Sequence, residues 1–259
     1  IFRSNKKKIP LKIFCRKSMV KSLNKKQIFQ ITKQGLDFYS KFFDFPYPFE
    51  KYDQIFAPEF NAVAMENVGA ITFSEHLIYR HKPTRTELSR QAGVILHEMV
   101  HMWFGDLVTM KWWDDLWLNE SFADYLSYLG LTRATEFKEG WQNFNGRKSW
   151  AYIEDQMITT HPIAADAKDT DIAFNNFDGI SYSKGAAVLK QLKFYLGEEN
   201  FKKGVGRYFK QHKWQNTELK DFLRCLEIES KKDLKSWADS WLLTTGVNSI
   251  KAEFSSEND

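Results

Sequence analysis

Two hydrophobic rhythms alternate along the chain. Over Ile9-Pro10-Leu11-Lys12-Ile13-Phe14-Cys15, apolar and polar residues alternate with the two-residue period of a strand. From about Lys25 the period lengthens, and Ile28, Ile31, Leu36, Tyr39, Phe42 and Phe43 fall near helical spacing, with Gly35 weakening the middle. Phe45-Pro46-Tyr47-Pro48-Phe49 ends that helix, because each Pro disfavours the α conformation of the residue before it. Strand patterns return over 52–57 and 70–73, flanking the loop Asn61-Ala62-Val63-Ala64-Met65-Glu66-Asn67. Pro83, Thr84 and Glu87 form a capping-box signature, from which a helix is predicted through Leu88, Ala92, Ile95, Met99 and Met102 to a stop at Gly105. A second helix carries Glu120, Phe122, Ala123, Tyr125, Leu126 and Leu129 and ends near Gly130, after the Trp-rich acidic turn Lys111-Trp112-Trp113-Asp114-Asp115-Leu116-Trp117. Residues 131–180 read as irregular; helical patterns then fill 184–196, 198–212, 217–229 and 232–243. Strands early and helices late predict an α+β fold.

With 259 residues, 43% hydrophobic and 16% aromatic, the chain can bury a substantial core as one large domain or two smaller ones. No run approaches eighteen apolar residues, so no membrane-spanning helix is predicted. The net charge of +4 conceals an asymmetry: residues 1–36 hold eleven Lys or Arg and no acid, leaving the remainder acidic. A basic arm can bind nucleic acid or anionic lipid, but a solvated surface facing another part of the protein is the simpler reading, and no nucleic-acid partner is expected. Cys15 and Cys225 cannot make a disulfide framework; Cys225, within an apolar helical pattern, reads as a buried free thiol, which favours a reducing, cytoplasmic compartment. The opening Ile1-Phe2-Arg3, without initiator Met or signal-peptide pattern, reads as a piece of a longer protein.

The chemistry centres on His97-Glu98-Met99-Val100-His101, with Glu120 nineteen residues after His101. On a helix over 94–104, His97 and His101 sit one turn apart on one face and can grip a single metal ion. Two imidazoles and a carboxylate suit zinc and leave a fourth position for water, and Glu98 lies beside that face, able to take the water's proton. Taken alone the short motif carries a stated risk of chance occurrence, which Glu120 on a second helix reduces.

Three separated motifs extend the match. Trp103-Phe104-Gly105-Asp106, Trp112-Trp113 and Leu116-Trp117-Leu118-Asn119-Glu120-Ser121-Phe122-Ala123 follow the histidines; Val63-Ala64-Met65-Glu66-Asn67 precedes them; Tyr182-Ser183-Lys184-Gly185 comes after. In this order the chain resembles the zinc aminopeptidases of the aminopeptidase N type, gluzincins whose motifs read Gly-Ala-Met-Glu-Asn and Tyr-x-Lys-Gly. The resemblance implies a thermolysin-like catalytic domain over 23–247, with a small mixed sheet in its N-terminal half and a mostly helical C-terminal half. It implies that 1–22 is the tail of an N-terminal β domain and that 248–259 leads toward a C-terminal helical domain of the same chain. One zinc ion is expected on His97, His101 and Glu120, with Glu98 as general base and Tyr182 donating to the oxyanion. Glu66 would bind the α-amine of a peptide with a free N-terminus, and the backbone around Ala64 and Met65, next to Asn67, would pair with the substrate as an added strand.

Val63 departs from the family pattern, adding bulk where the first Gly stands. Phe177 and Ala62 are expected near the pocket for the first substrate side chain. Asp124, one turn after Glu120, reads as a solvated helix face rather than a group behind the metal ligands; His76, His81, His161 and His212 read as ordinary. Competing readings are a thermolysin-like endopeptidase, disfavoured by Glu66, and the epoxide hydrolase-aminopeptidase branch, which usually has a second Gly where Ala64 stands. A scaffold that kept the fold without activity is disfavoured, because all the polar catalytic positions are present.

Overall fold

The computed structural model describes residues 1–4 and 7–255. Residues 5–6 and 256–259, which fall in the two predicted flanking segments, lie outside the described residues. The strands are β1 (Phe2–Ser4), β2 (Lys7–Ile9), β3 (Leu11–Phe14), β4 (Tyr52–Ala57), β5 (Ala64–Met65), β6 (Ala70–Ser74), β7 (Val108–Met110) and β8 (Gln215–Thr217). The helices are α1 (Lys25–Phe42), α2 (Arg85–His101), α3 (Leu116–Ala134), α4 (Gly140–Glu154), α5 (Thr170–Asn175), α6 (Gly185–Leu196), α7 (Glu198–His212), α8 (Leu219–Ser230) and α9 (Lys235–Trp241).

The α+β expectation and the mixed sheet hold. The main sheet runs β3-β4-β6-β5, with β3, β4 and β6 parallel and β5 antiparallel at one edge. β1 and β2 pair antiparallel, and β2 is split from β3 at Pro10, which cannot donate to a ladder. β7 and β8, unforeseen in the sequence, pair in parallel although more than a hundred residues separate them. No helix among the described residues is long and apolar enough to cross a membrane.

α1 starts where the Asn24 side chain accepts from Gln27 N, and it buries Ile28, Ile31, Leu36, Tyr39 and Phe42. Gly35, which the pattern marks as a weak point, is a contact point. A Cβ there would lie 2.5 Å from Leu96 Cδ2 and 2.7 Å from Met99 Sδ, so its absence lets α1 approach α2 closely. α2 has the capping box foreseen for it: Thr84 accepts from Glu87 N, and Glu87 accepts from Thr84 N. The helix stops earlier than expected, at His101, and the chain reaches Gly105 through turns closed by Trp103 N and Phe104 N on the Val100 carbonyl.

α3 passes through Gly130 and runs to Ala134, because it is buried on nearly every side and tertiary contacts override the local stop signal. Tyr39 donates to the Leu126 carbonyl at 2.9 Å, tying α1 to α3. A chain of aromatic rings fills the space between: Phe43 meets Trp103 edge-on at 5.3 Å, and Phe104 stacks on Phe122 at 4.0 Å and meets Phe209 at 4.7 Å. α4 was invisible as a pattern since only Gly140, Phe144 and Ala151 are buried, too few for a helical stripe.

Replacing Thr84 by Ala removes half of the capping box and should lower stability by about 1 kcal/mol, a fall in Tm of about 2–4 °C. Calorimetry would show it; an unchanged Tm would mean that Arg85, paired with Glu139 at 2.8 Å, already holds this helix end.

Candidate active site

The last turn of α2 and the first turns of α3 face each other across the core. His97 and His101 lie on the same face of α2 with ring centroids 4.8 Å apart. Their Nε2 atoms converge on one atom, Glu120 Oε2, at 3.3 and 3.6 Å. That oxygen is buried and has no hydrogen-bond partner. An unpartnered buried carboxylate oxygen is costly unless a cation meets it. Two imidazole nitrogens and this oxygen lie within 4.8 Å of one another and could hold a metal ion; the nitrogen and oxygen donors fit zinc. Glu66, Glu98 and His101 form a second, overlapping group of the same extent.

Asn119 orders this arrangement, and the sequence reading missed it. Its Nδ2 donates to Glu66 Oε1 at 3.1 Å, which turns its Oδ1 toward His101 Nδ1 at 2.6 Å. His101 must then carry a proton on Nδ1, an assignment made from this network, and Nε2 is the nitrogen that faces Glu120. The cue was its position beside Glu120 in Leu-Asn-Glu. Gly105 leaves the room: its φ is +122°, and a Cβ there would lie 2.3 Å from Asn119 Oδ1.

Within the polypeptide the cluster is largely buried and crowded with charge. Burial pushes the Glu98 carboxyl up to about 7, eased by His97 and His101 and reinforced by Glu66 and Glu120. Burial disfavours a cationic His101, but Glu66, Glu120, Glu98 and Asp106 outweigh it and raise the imidazole to about 10. Asp106 is pushed up to about 8, again by burial first. Glu66, although mostly buried, is held below the usual carboxylate range by His101, its own backbone N–H and Asn119.

Tyr182 stands on a single π-helical turn, Ile180–Lys184, that leads into α6. Such turns are rare and frequently mark functional sites. The ring lies 5.9 Å from that of His97 and nearly parallel to it, at 8°. The turn is fastened on several sides. Ser121 donates to the Ser181 carbonyl at 2.6 Å, and Asp124 Oδ2 accepts from Ser183 at 2.9 Å, so two residues of the helix that carries Glu120 hold the turn. Asp178 Oδ1 accepts from Ile180 N and Ser181 N, while its Oδ2 meets His161 Nε2 at 2.9 Å. Lys184 pairs with the buried Asp155 at 2.9 Å, and Asp155 also accepts from Thr160 Oγ1 and Gly246 N.

Two sequence readings are corrected here. Asp124 is 4% exposed and anchors the Tyr182 turn, so it belongs to no solvated face; α3 is buried around nearly its whole circumference, and the pattern had no polar side to assign it to. His161 braces Asp178 and thus has a specific structural task. His76, His81 and His212 join no metal-holding group among the described residues.

A cleft of about 760 Å³ opens against His97, Glu98 and Tyr182, with Ala62, Val63 and Ala64 along one wall. Met65 is exposed at the sheet edge and Asn67 Nδ2 reaches Thr72 Oγ1 at 3.2 Å, closing the turn after Glu66. Phe177 is 41% exposed, with its ring 6.5 Å from that of Tyr182.

Comparison with known proteins bears on this geometry. The model of the peptidase family M1 domain matches residues 28–241. The chain is 49% identical over its whole length to aminopeptidase N of Streptomyces lividans, covering 31% of that protein. It is 39% identical over 90% of its length to tricorn protease-interacting factor F2 of Thermoplasma volcanium, covering 30% of it. It is also 35% identical over 98% of its length to glutamyl aminopeptidase of Bitis rhinoceros, covering 27% of it. The chain therefore spans under a third of the length of these relatives. It belongs to peptidase family M1.

Replacing Asp155 by Ala strands the Lys184 ammonium in a largely buried site and should cost about 3–5 kcal/mol of stability. Chemical denaturation measures this; a loss below about 1 kcal/mol would show that solvent reaches Lys184 freely.

Proposed function

From membership of family M1 we propose that this chain is the catalytic part of a zinc-dependent aminopeptidase, with residues 23–247 as its thermolysin-like catalytic domain. The observation that carries the proposal is the convergence of His97 and His101 on the unpartnered Oε2 of Glu120, with Glu66 4.0 Å from His101. His97, His101 and Glu120 would hold one zinc ion, which when bound supplies the Lewis acidity that activates water and polarises the scissile carbonyl.

The chain's own residues do the rest. Glu98 lines the cleft beside His97 and accepts the proton of the attacking water, then returns it to the leaving amine. Its burial keeps it from being a strongly acidic, poorly basic carboxylate. Tyr182 donates a hydrogen bond to the carbonyl oxygen as negative charge grows there, and its fastened turn fixes the direction of that donor in advance. Glu66 accepts the cationic α-amine of the substrate and so sets the distance from the chain's first atom to the cut. The free edge of β5 offers the backbone of Ala64 and Met65 to an extended peptide, while Asn67 fixes the turn that aims Glu66.

Glu98→Gln should lower kcat by about a hundredfold or more while leaving zinc content unchanged; retained activity would contradict the assigned base. Glu66→Gln should erase the preference for a free-amine aminoacyl anilide over its N-acetylated form. Equal rates on both substrates in the unaltered protein would instead indicate an endopeptidase.

A further inference from the structure

We propose that the cleft beyond the catalytic centre selects peptides bearing a carboxylate on the residue that follows the scissile bond, recognised by Arg147 and Arg90. The inference rests on the aminopeptidase reading and adds a substrate class to it.

α2 serves as a ruler for the bound peptide. Glu66, the proposed amine anchor, lies at the His101 end, 4.0 Å from that ring, and does not line the cleft. His97 and Glu98 come next along the helix and do line it. The cleft then continues past Gly93 to Arg90, two turns and about 10 Å further along the axis. A substrate with its amine at Glu66 and its first carbonyl at His97 must therefore send its remaining residues toward Arg90. The floor is open on that path: nothing lies within 4 Å of where a Cβ would stand on Gly93 or on Gly146 of the facing α4.

The charge of this end is cationic and partly pre-arranged. Arg147, also on α4, lays its guanidinium over the Trp150 ring at 4.4 Å and stands 3.6 Å from Asp124 Oδ1. Asp124 accepts from Ser183 with its other oxygen, so Arg147 is held beside α3 while its side chain, 37% exposed, still lines the cleft. Arg90 forms no ion pair among the described residues. Of the carboxylates in the cleft, Glu98 is committed to proton transfer and Asp124 to the Tyr182 turn. What remains is the Arg90 guanidinium, without an ion pair, and the partly exposed guanidinium of Arg147, both lining one cleft and both of a chemistry suited to a carboxylate. Such a group can be the C-terminus of a dipeptide or an acidic side chain at the second substrate position.

The test uses the zinc-loaded protein at its full natural length, with one first residue kept constant and called X. Four substrates suffice: X-Ala, X-Ala-amide, X-Glu-Ala-amide and X-Gln-Ala-amide. At low ionic strength the carboxylate member of at least one pair should show about tenfold higher kcat/KM. The advantage should shrink toward unity in Arg147→Gln and in Arg90→Gln. An advantage in the first pair assigns the carboxylate to the C-terminus, and one in the second assigns it to the side chain. The wild-type ratios need no variant, and Arg90, being exposed, gives a replacement that spares the core if Arg147→Gln fails to fold. Ratios near one in both pairs, or an advantage unaltered by either replacement, overturn this inference while leaving the aminopeptidase reading in place. Cleavage of none of the four would overturn both.

Discussion

The structure depends on the contact between the end of α2 and the start of α3. These two helices bring a pair of imidazoles against a buried carboxylate oxygen, Glu120 Oε2, that has no hydrogen-bond partner. Burying that oxygen without a hydrogen bond is unfavourable, and aromatic packing of the two helices offsets the cost: Phe104 on Phe122, Trp103 against Phe43, Tyr39 tied to the Leu126 carbonyl. The fold thereby holds two imidazole nitrogens and a carboxylate oxygen within 4.8 Å of one another, close enough to share the one metal ion proposed for them. Gly35 and Gly105 belong to the same constraint, one letting α1 approach the back of α2 and the other letting Asn119 reach His101.

Around that contact the polar groups divide into those proposed to meet substrate and those that hold them still. Asn119 sets the tautomer of His101 and steadies Glu66 with its two amide atoms. Ser121 and Asp124 extend from the helix of Glu120 to fasten the turn of Tyr182, so the proposed ligand and the proposed oxyanion donor share one rigid support. Asp155, Lys184 and Gly246 tie the same turn to the C-terminal stretch of the chain. For the proposed chemistry, a displacement of about 1 Å in any of these would cost far more in rate than in stability, and the buried hydrogen bonds that converge here restrict such displacements.

The sequence made the local features legible and left the long-range ones hidden. The capping box at Thr84, the period of α1 and the bounds of α7 follow from neighbours within a few positions, and they stand as expected. The residues assigned to the metal chemistry could be named because each falls in a motif with fixed spacing. β7 paired with β8, and α4 with its sparse buried face, have no such local signature. Asp124 was misread for an instructive reason: a helix buried all round presents no polar stripe, so a carboxylate on it looks like surface until its partner Ser183 arrives from far along the chain. Asn119, Asp155 and Asp178 escaped notice because their significance lies in which atoms they touch.

The central claim is that His97, His101 and Glu120 form one metal site. X-ray absorption at the zinc edge of the metal-loaded protein tests it most directly. The account predicts one ion per chain with two imidazole nitrogens and carboxylate or water oxygens at about 2.0–2.2 Å, and the imidazole scattering reduced by half in His97→Ala. A zinc environment without imidazole, or one unaltered by that replacement, would contradict it.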